Sequence, residues 1–390
     1  MHKFNLNLKT ELIFGNGRHL EIADVVKRYG KQNVLIIYGK SFALQSGLLE
    51  TTTNLFDEAG IDYVLFGGVT PNPEIHFVRE AKKIAQEYNV DLILAIGGGS
   101  VIDVAKAVAV TFYHEGDELD FNKRLVVPTK ALPVGVILTH ASAGSEMSTS
   151  CVISDAKNNF KQGFNSELIR PLFAITNPEL TYSVSPYQTA IGIVDSFMHS
   201  LERYFGKSAD IELADRFAEG IFITLVEATR RLVIDPTDAV ARANVMLAST
   251  FSHNHITSIG KKYSMPAHAL EHALSALYPE IPHGHGLAVI YPAWLKYNIN
   301  ELKHKLARFA QTVFGIFHTD VLENAKAGIS ALEEVFTDLG LELNLRHFGV
   351  KHDDIDILAN IVTENGEKTL YHSVKPLGKD DIIKIYGNCY

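Results

Sequence analysis

The sequence predicts a two-domain protein: an α/β nucleotide-binding domain over residues 1–185, then an all-α domain over residues 186–390. Three observations predict it. Short apolar runs alternate with helix-like stretches through the first half, the pattern of a parallel α/β sheet. Several of those runs end in loops of glycine and other small residues. From Ser185 onward the strand pattern stops and helical periodicity takes over.

Residues 4–8 alternate apolar and polar, as a half-exposed strand does. Gly15 and Gly17 mark a turn before a helix over 19–29. Residues 33–38 form a continuous apolar run, the mark of a strand buried on both faces, and end at Gly39, Lys40 and Ser41. A helix over 48–59, a strand over 63–66, a rigid loop through Asn72, a helix over 74–87 and a strand over 91–96 follow. The next helix starts at once after Gly97, Gly98, Gly99 and Ser100, so its unpaired N–H groups face beyond the strand end. That arrangement suits an anion such as a pyrophosphate, although the spacing is neither the common dinucleotide fingerprint nor a Walker loop. Residues 134–138 read as a strand running into a second small-residue loop, 139–146. Two such loops at strand ends strengthen the case for a nucleotide. Residues 150–154 and 171–176 read as further strands, with Lys161 between them in reach of a phosphate or ribose.

In the second half, helices are expected over 186–205, 211–232, 239–253, 267–278, 323–339, 351–360 and 379–386. Residues 252–285 hold six histidines: His253, His255, His268, His272, His283 and His285. On a helix, residues four apart share a face, so Asp195 and His199 can point at one spot, as can His268 and His272. One carboxylate with several imidazoles is a donor set for a borderline divalent ion such as Fe²⁺ or Zn²⁺. The cleft between the two halves is the expected active site.

Composition bounds the alternatives. Apolar content of 46% and charged content of 21% are those of a globular chain, and the net charge of -9 argues against a nucleic-acid groove or an anionic membrane as partner. Cys151 and Cys389 build neither a disulfide framework nor a cysteine metal site. No signal peptide or membrane-spanning run is read, and a cytoplasmic location is expected.

The motifs resemble the iron-dependent, or group III, alcohol dehydrogenases. GGGSVIDVAKA resembles that family's pyrophosphate loop and AGSE at 143–146 its second cofactor loop. IVDSFMHSLERY resembles its first metal motif, and HALEHALSALYPEIPHGHGLAVIYPAW its second, in the form of the butanol-dehydrogenase branch. The resemblance implies a dehydroquinate-synthase-like fold and a homodimer with the first strand as a pairing edge. It implies a metal on Asp195, His199, His268 and His283, with His272 as a helper. His285 leaves the fourth ligand ambiguous, and His283 is favoured because it follows Pro282 as in the family motif. Cofactor contacts are implied at Gly39, Asn72, Gly98, Gly99, Ser100, Asp103, Thr139, Ser142 and Lys161, with Gly97 in the same loop. NAD-preferring relatives carry an aspartate at the position of Gly39; Gly39 with Lys40 and Ser41 leaves room for a 2′-phosphate, so NADP is expected, with NAD the alternative.

The activity expected is reduction of small aldehydes or oxidation of small primary alcohols, of the butanal and butanol kind. The metal polarises the substrate oxygen, the nicotinamide carries hydride, and His272 relays the proton. The rival readings are a glycerol- or diol-type polyol dehydrogenase, a dehydroquinate-synthase-like cyclase, and a metal- and nucleotide-binding regulatory protein without turnover. Few basic residues surround the expected metal site, which disfavours the cyclase.

Overall fold

The computed structural model describes residues 3–40, 42–158, 160–206, 211–370 and 374–390. The chain forms two compact units, one of residues 7–183 and one of residues 184–390 that also takes in the segment up to Leu6.

The first unit is built on a six-stranded parallel sheet. Its strands are β1 (Glu11–Phe14), β2 (Asn33–Gly39), β3 (Asp62–Val69), β4 (Leu92–Gly97), β5 (Val134–Leu138) and β8 (Phe173–Thr176), in the order β1-β8-β5-β4-β2-β3. β6 (Ser150–Asp155) and β7 (Phe160–Asn165) make a separate antiparallel pair. β4 and β5 are buried at every position, which is why they read as unbroken apolar runs. Gly135 on β5 faces Phe173 on β8, and a Cβ there would lie 2.2 Å from the Phe173 ring. The helices are α1 (Ile22–Arg28), α2 (Phe42–Gln45), α3 (Leu48–Ala59), α4 (Ile75–Glu87) and α5 (Gly99–Thr111). Chain order reverses between β2 and β4: β3 lies to one side of β2, and β4, β5 and β8 follow on the other. Ligands of open parallel sheets bind at such a reversal, outside the carboxyl ends of the strands.

Residues 4–8 are not a strand; the first strand is Glu11–Phe14. Alternation alone does not make a strand without a partner, and Phe4, Leu6 and Leu8 stay exposed. Gly15 and Gly17 turn the chain at φ 136° and 72° into a short 3-10 segment and then α1.

The second unit is helical: α6 (Pro186–Tyr204), α7 (Glu212–Ile234), α8 (Ala239–Ser252), α9 (Pro266–Leu277), α10 (His283–Tyr297), α11 (Ile299–Phe314), α12 (Val321–Asp338), α13 (Asp354–Thr363) and α14 (Lys379–Asn388). α6 opens on a Ser185 side chain that accepts the Gln188 N–H, with Pro186 in the first turn. Every residue of α6 from Thr189 to Tyr204 is buried. Phe222 and Phe309 pack against Tyr204 in the core, and Phe197 stacks on Phe222. α10 and α11 are absent from the sequence reading. Gly284, Gly286 and Pro292 break the helical pattern of α10 on paper, but burial holds the helix together. Among the described residues, no helix is long and apolar enough to cross a membrane.

Candidate metal centre and cofactor loops

A buried helix stretch such as Thr189–Tyr204 of α6 has no reason to carry charge unless the charge is paired. Yet Asp195, His199 and Glu202 lie at positions i, i+4 and i+7, on one face. α9 brings His268, Glu271 and His272, and α10 opens with His283 directly after Pro282. Asp195 Oδ1 is the common point. It lies 3.2 Å from His199 Nδ1, 3.8 Å from His268 Nε2 and 3.9 Å from His283 Nε2. Metal–ligand bonds of about 2.1 Å at tetrahedral angles put donor atoms about 3.4 Å apart; the Nε2 atoms of His268 and His283 lie 3.8 and 3.9 Å from Asp195 Oδ1, and one ligand atom each of Asp195, His199 and His268 lies within 4.8 Å of the others. His268 Nε2 is buried and makes no hydrogen bond among the described residues. Three imidazoles with one carboxylate suit iron(II), and the residues fit that ion.

The electrostatics point the same way. Asp195, Glu202 and Glu271 are buried carboxylates, while Arg203 is a buried cation whose side chain donates to the carbonyls of His199 and Ser252. The group therefore favours added positive charge. Burial alone would depress His268, but the Glu202 and Asp195 carboxylates outweigh it and raise the ring to about 9. Burial brings His199 down to about 4 and holds His253, whose ring centre is 3.9 Å from that of His199, well below the ordinary range. Burial opposes ionisation of Asp195, yet His199, His268 and His283 keep its carboxyl well below the usual value.

The second ring nitrogens are also occupied. His268 Nδ1 donates to the Glu202 carboxylate and His283 Nδ1 to the Glu271 carboxylate. Sequence reasoning missed both glutamates. Glu202 is three residues after His199 and Glu271 three after His268, which puts each on a ligand-bearing helix face but does not name the ring it holds. His272 is half-buried, its ring centre 5.5 Å from that of His283, and forms a donor group with Glu271 and His283. His285 is not brought to Asp195. Its Nε2 donates to the Glu342 carbonyl and its Nδ1 accepts from the Tyr187 hydroxyl, both at 2.9 Å.

In the first unit, several of the expected cofactor residues lie at neighbouring strand ends. Gly39 closes β2, Gly97 closes β4, and Thr139 follows β5 with its N–H on the Gly97 carbonyl at 3.1 Å. Lys40 is exposed, and Ser41 lies outside the described residues. Asn72 follows β3 with φ 53°. Gly97 and Gly98 serve space rather than a left-handed turn. A Cβ on Gly97 would lie 2.5 Å from Val101, and one on Gly98 3.1 Å from His140 of the second loop. The first α5 donors to close on Gly98 are Val101 and Ile102, so the N–H groups of Gly99 and Ser100 fall outside the helix ladder. Asp103 accepts from the Ser145 hydroxyl at 3.0 Å and the Val152 N–H at 3.2 Å. It therefore ties down the loop that follows Ser142. Lys106, which the sequence reading passed over, is fully buried and donates to the carbonyls of Ser145, Ser148 and Ser150 and to two of their hydroxyls. A lone lysine in the apolar run VAKAVAV was the available signal. Lys161 sits on β7, opposite Ser154 of β6.

Comparison with known proteins accounts for both units. Residues 9–178 match the model of the iron-containing alcohol dehydrogenases, and residues 189–390 match the C-terminal model of the same family. The chain is 36% identical to NADH-dependent butanol dehydrogenase A of Clostridium acetobutylicum over 392 residues, covering all of both chains. It is 33% identical to the NADPH-dependent aldehyde reductase YqhD of Escherichia coli, covering 94% of each. The crystal structure of NADH-dependent butanol dehydrogenase A from Thermotoga maritima superposes with a TM-score of 0.95 at 32% identity, covering 100% of this chain and 99% of that one.

Proposed function

We propose, from the premise that this chain belongs to the iron-containing alcohol dehydrogenase family, that it interconverts small primary alcohols and aldehydes with iron and a nicotinamide cofactor. The observation that carries the reading is the meeting of one carboxylate and three imidazoles around Asp195 Oδ1 in a chain that also carries the small-residue strand-end loops. Asp195, His199, His268 and His283 would hold the ion. Bound there, iron supplies a Lewis acid to the substrate oxygen and the nicotinamide supplies or accepts the hydride. Gly97, Gly98, Gly99 and Ser100 offer backbone N–H groups to the cofactor pyrophosphate. Asn72, Thr139, Ser142 and Lys161 are assigned to the same cofactor. Asp103 and Lys106 keep the second loop in place. His272, one turn beyond His268, moves the proton between the substrate oxygen and water.

NADPH is the cofactor we assign. The support is Gly39, which leaves the end of β2 without a carboxylate to repel a 2′-phosphate, with the exposed Lys40 beside it. Two relatives carry the opposite names, NADH-dependent in one and NADPH-dependent in the other, so the assignment rests on this residue-level argument. We also assign a homodimer, in which the exposed Phe4, Leu6 and Leu8 meet a second copy. The test of the cofactor assignment is kcat/KM for NADPH and NADH with butanal on iron-loaded protein. A ratio above one supports it and a preference for NADH overturns it. Running propanal, butanal and 1,3-propanediol in the same assay separates the aldehyde reading from the diol reading.

A further inference from the structure

We propose that Glu202 and Glu271 are positioning residues, each accepting the Nδ1–H of one imidazole and so fixing Nε2 as the nitrogen that His268 and His283 present to the ion. The inference rests on the reading of Asp195, His199, His268 and His283 as the iron site. Both carboxylates are buried, Glu202 at 3% exposure and Glu271 at 0%. A buried carboxylate requires donors, and an imidazole N–H is the donor each one holds. On the far side of each ring, Nε2 lies 3.8 Å (His268) or 3.9 Å (His283) from Asp195 Oδ1. His199 differs, since its Nδ1 faces its own helix, 3.0 Å from the Asp195 carbonyl and 3.2 Å from Asp195 Oδ1. A carboxylate partner fixes the tautomer and makes the opposite nitrogen a stronger donor than a carbonyl partner does.

The arrangement also links three helices in sequence. α6 supplies two ligands and, through Glu202, aims the ligand of α9. α9 supplies His268 and, through Glu271, aims the ligand of α10. Glu202 has a second task, because its other oxygen accepts the Ala267 N–H at 2.7 Å and satisfies a first-turn donor of α9. Room for Glu271 comes from Gly286, where a Cβ would lie 2.9 Å from the Glu271 side chain.

The two glutamates answer differently to an amide. Glu202 uses both oxygens on separate donors, and a glutamine has only one acceptor oxygen. Glu202→Gln therefore forfeits either the imidazole or the helix start. Glu271→Gln keeps an acceptor for His283 and loses the charge. The experiment loads parent, Glu202→Gln and Glu271→Gln proteins with Co²⁺, follows its visible absorption, and titrates each with a competing chelator. Circular dichroism and melting of the same samples report the fold. Expected is a loss of Co²⁺ affinity of about 10–100-fold in each variant, larger in Glu202→Gln, with an altered Co²⁺ spectrum there. Folded variants with the parent's affinity and spectrum overturn the inference and leave the iron site standing. If Glu202→Gln does not fold, the affinity of Glu271→Gln decides alone. A parent protein that takes up no Co²⁺ overturns the iron-site reading itself, and this inference with it.

Discussion

His283 and His285 are two residues apart and chemically identical, so only their partners tell them apart. His283 faces Asp195, and His285 spends both ring nitrogens on Tyr187 and Glu342. His283→Ala is expected to lower bound iron measurably, whereas His285→Ala keeps its iron and loses about 1–3 kcal/mol of stability from the stranded partners. Elemental analysis beside denaturant unfolding checks both outcomes. Iron loss in His285→Ala with retention in His283→Ala would reverse the assignment. At this scale much was legible in the sequence. The four-residue steps Asp195–His199 and His268–His272 announce shared helix faces. Glu202 and Glu271 were not read, because what a buried glutamate does depends on which other helix faces it. That information lies in packing between α6, α9 and α10, not in the local spacing. The partners of His285 are equally remote, 98 residues away at Tyr187 and 57 at Glu342.

At the scale of elements, α5 both starts from the first glycine loop and holds the second small-residue loop. Burial draws the Lys106 ammonium down to about 8 against the pull of Asp103, yet its three N–H groups serve five oxygens of the segment 145–150. Lys106→Met fills the same space and strands those acceptors, at about 1–3 kcal/mol each for those that find no new donor. The expected result is a lower unfolding midpoint and a raised KM for the nicotinamide with a smaller change in kcat; an unchanged midpoint and KM would remove Lys106 from this role. α4 is tied to the segment after α5 by Glu118, 3.0 Å from Lys82 and 3.2 Å from Arg79. Burial works to raise the Glu118 carboxyl, but the two cations prevail and hold it below its ordinary value of 4.5. The unfolded chain thus binds this proton more tightly than the folded one. The stabilisation is complete above pH 4.5 and is lost as pH falls through the depressed folded value. Glu118→Gln is expected to cost about 1 kcal/mol at neutral pH. In melting curves its gap from the parent closes in acid; a gap independent of pH would contradict the linkage. Elements were legible where burial imposed one period, as in β4 and β5. They were misread at residues 4–8, where a strand-like alternation has no partner strand, and passed over at α10, where Gly284, Gly286 and Pro292 hide a helix that packing sustains.

For the whole molecule, the α/β-then-helical division was legible because strand and helix periods differ and change once along the chain. The cofactor's 2′-phosphate preference is the least legible property, since the proposed assignment to NADPH rests on Gly39, Lys40 and Ser41 alone. The central claim is that Asp195, His199, His268 and His283 bind the iron on which aldehyde reduction depends. The most direct measurement strips the protein with a chelator, restores Fe²⁺ anaerobically, and follows NAD(P)H oxidation with butanal alongside bound iron in parent and His268→Ala proteins. The account predicts loss of activity on stripping, recovery with about one iron per chain in the parent, and neither iron nor activity in His268→Ala. Full activity in the stripped parent, or iron and activity retained in His268→Ala, would contradict it.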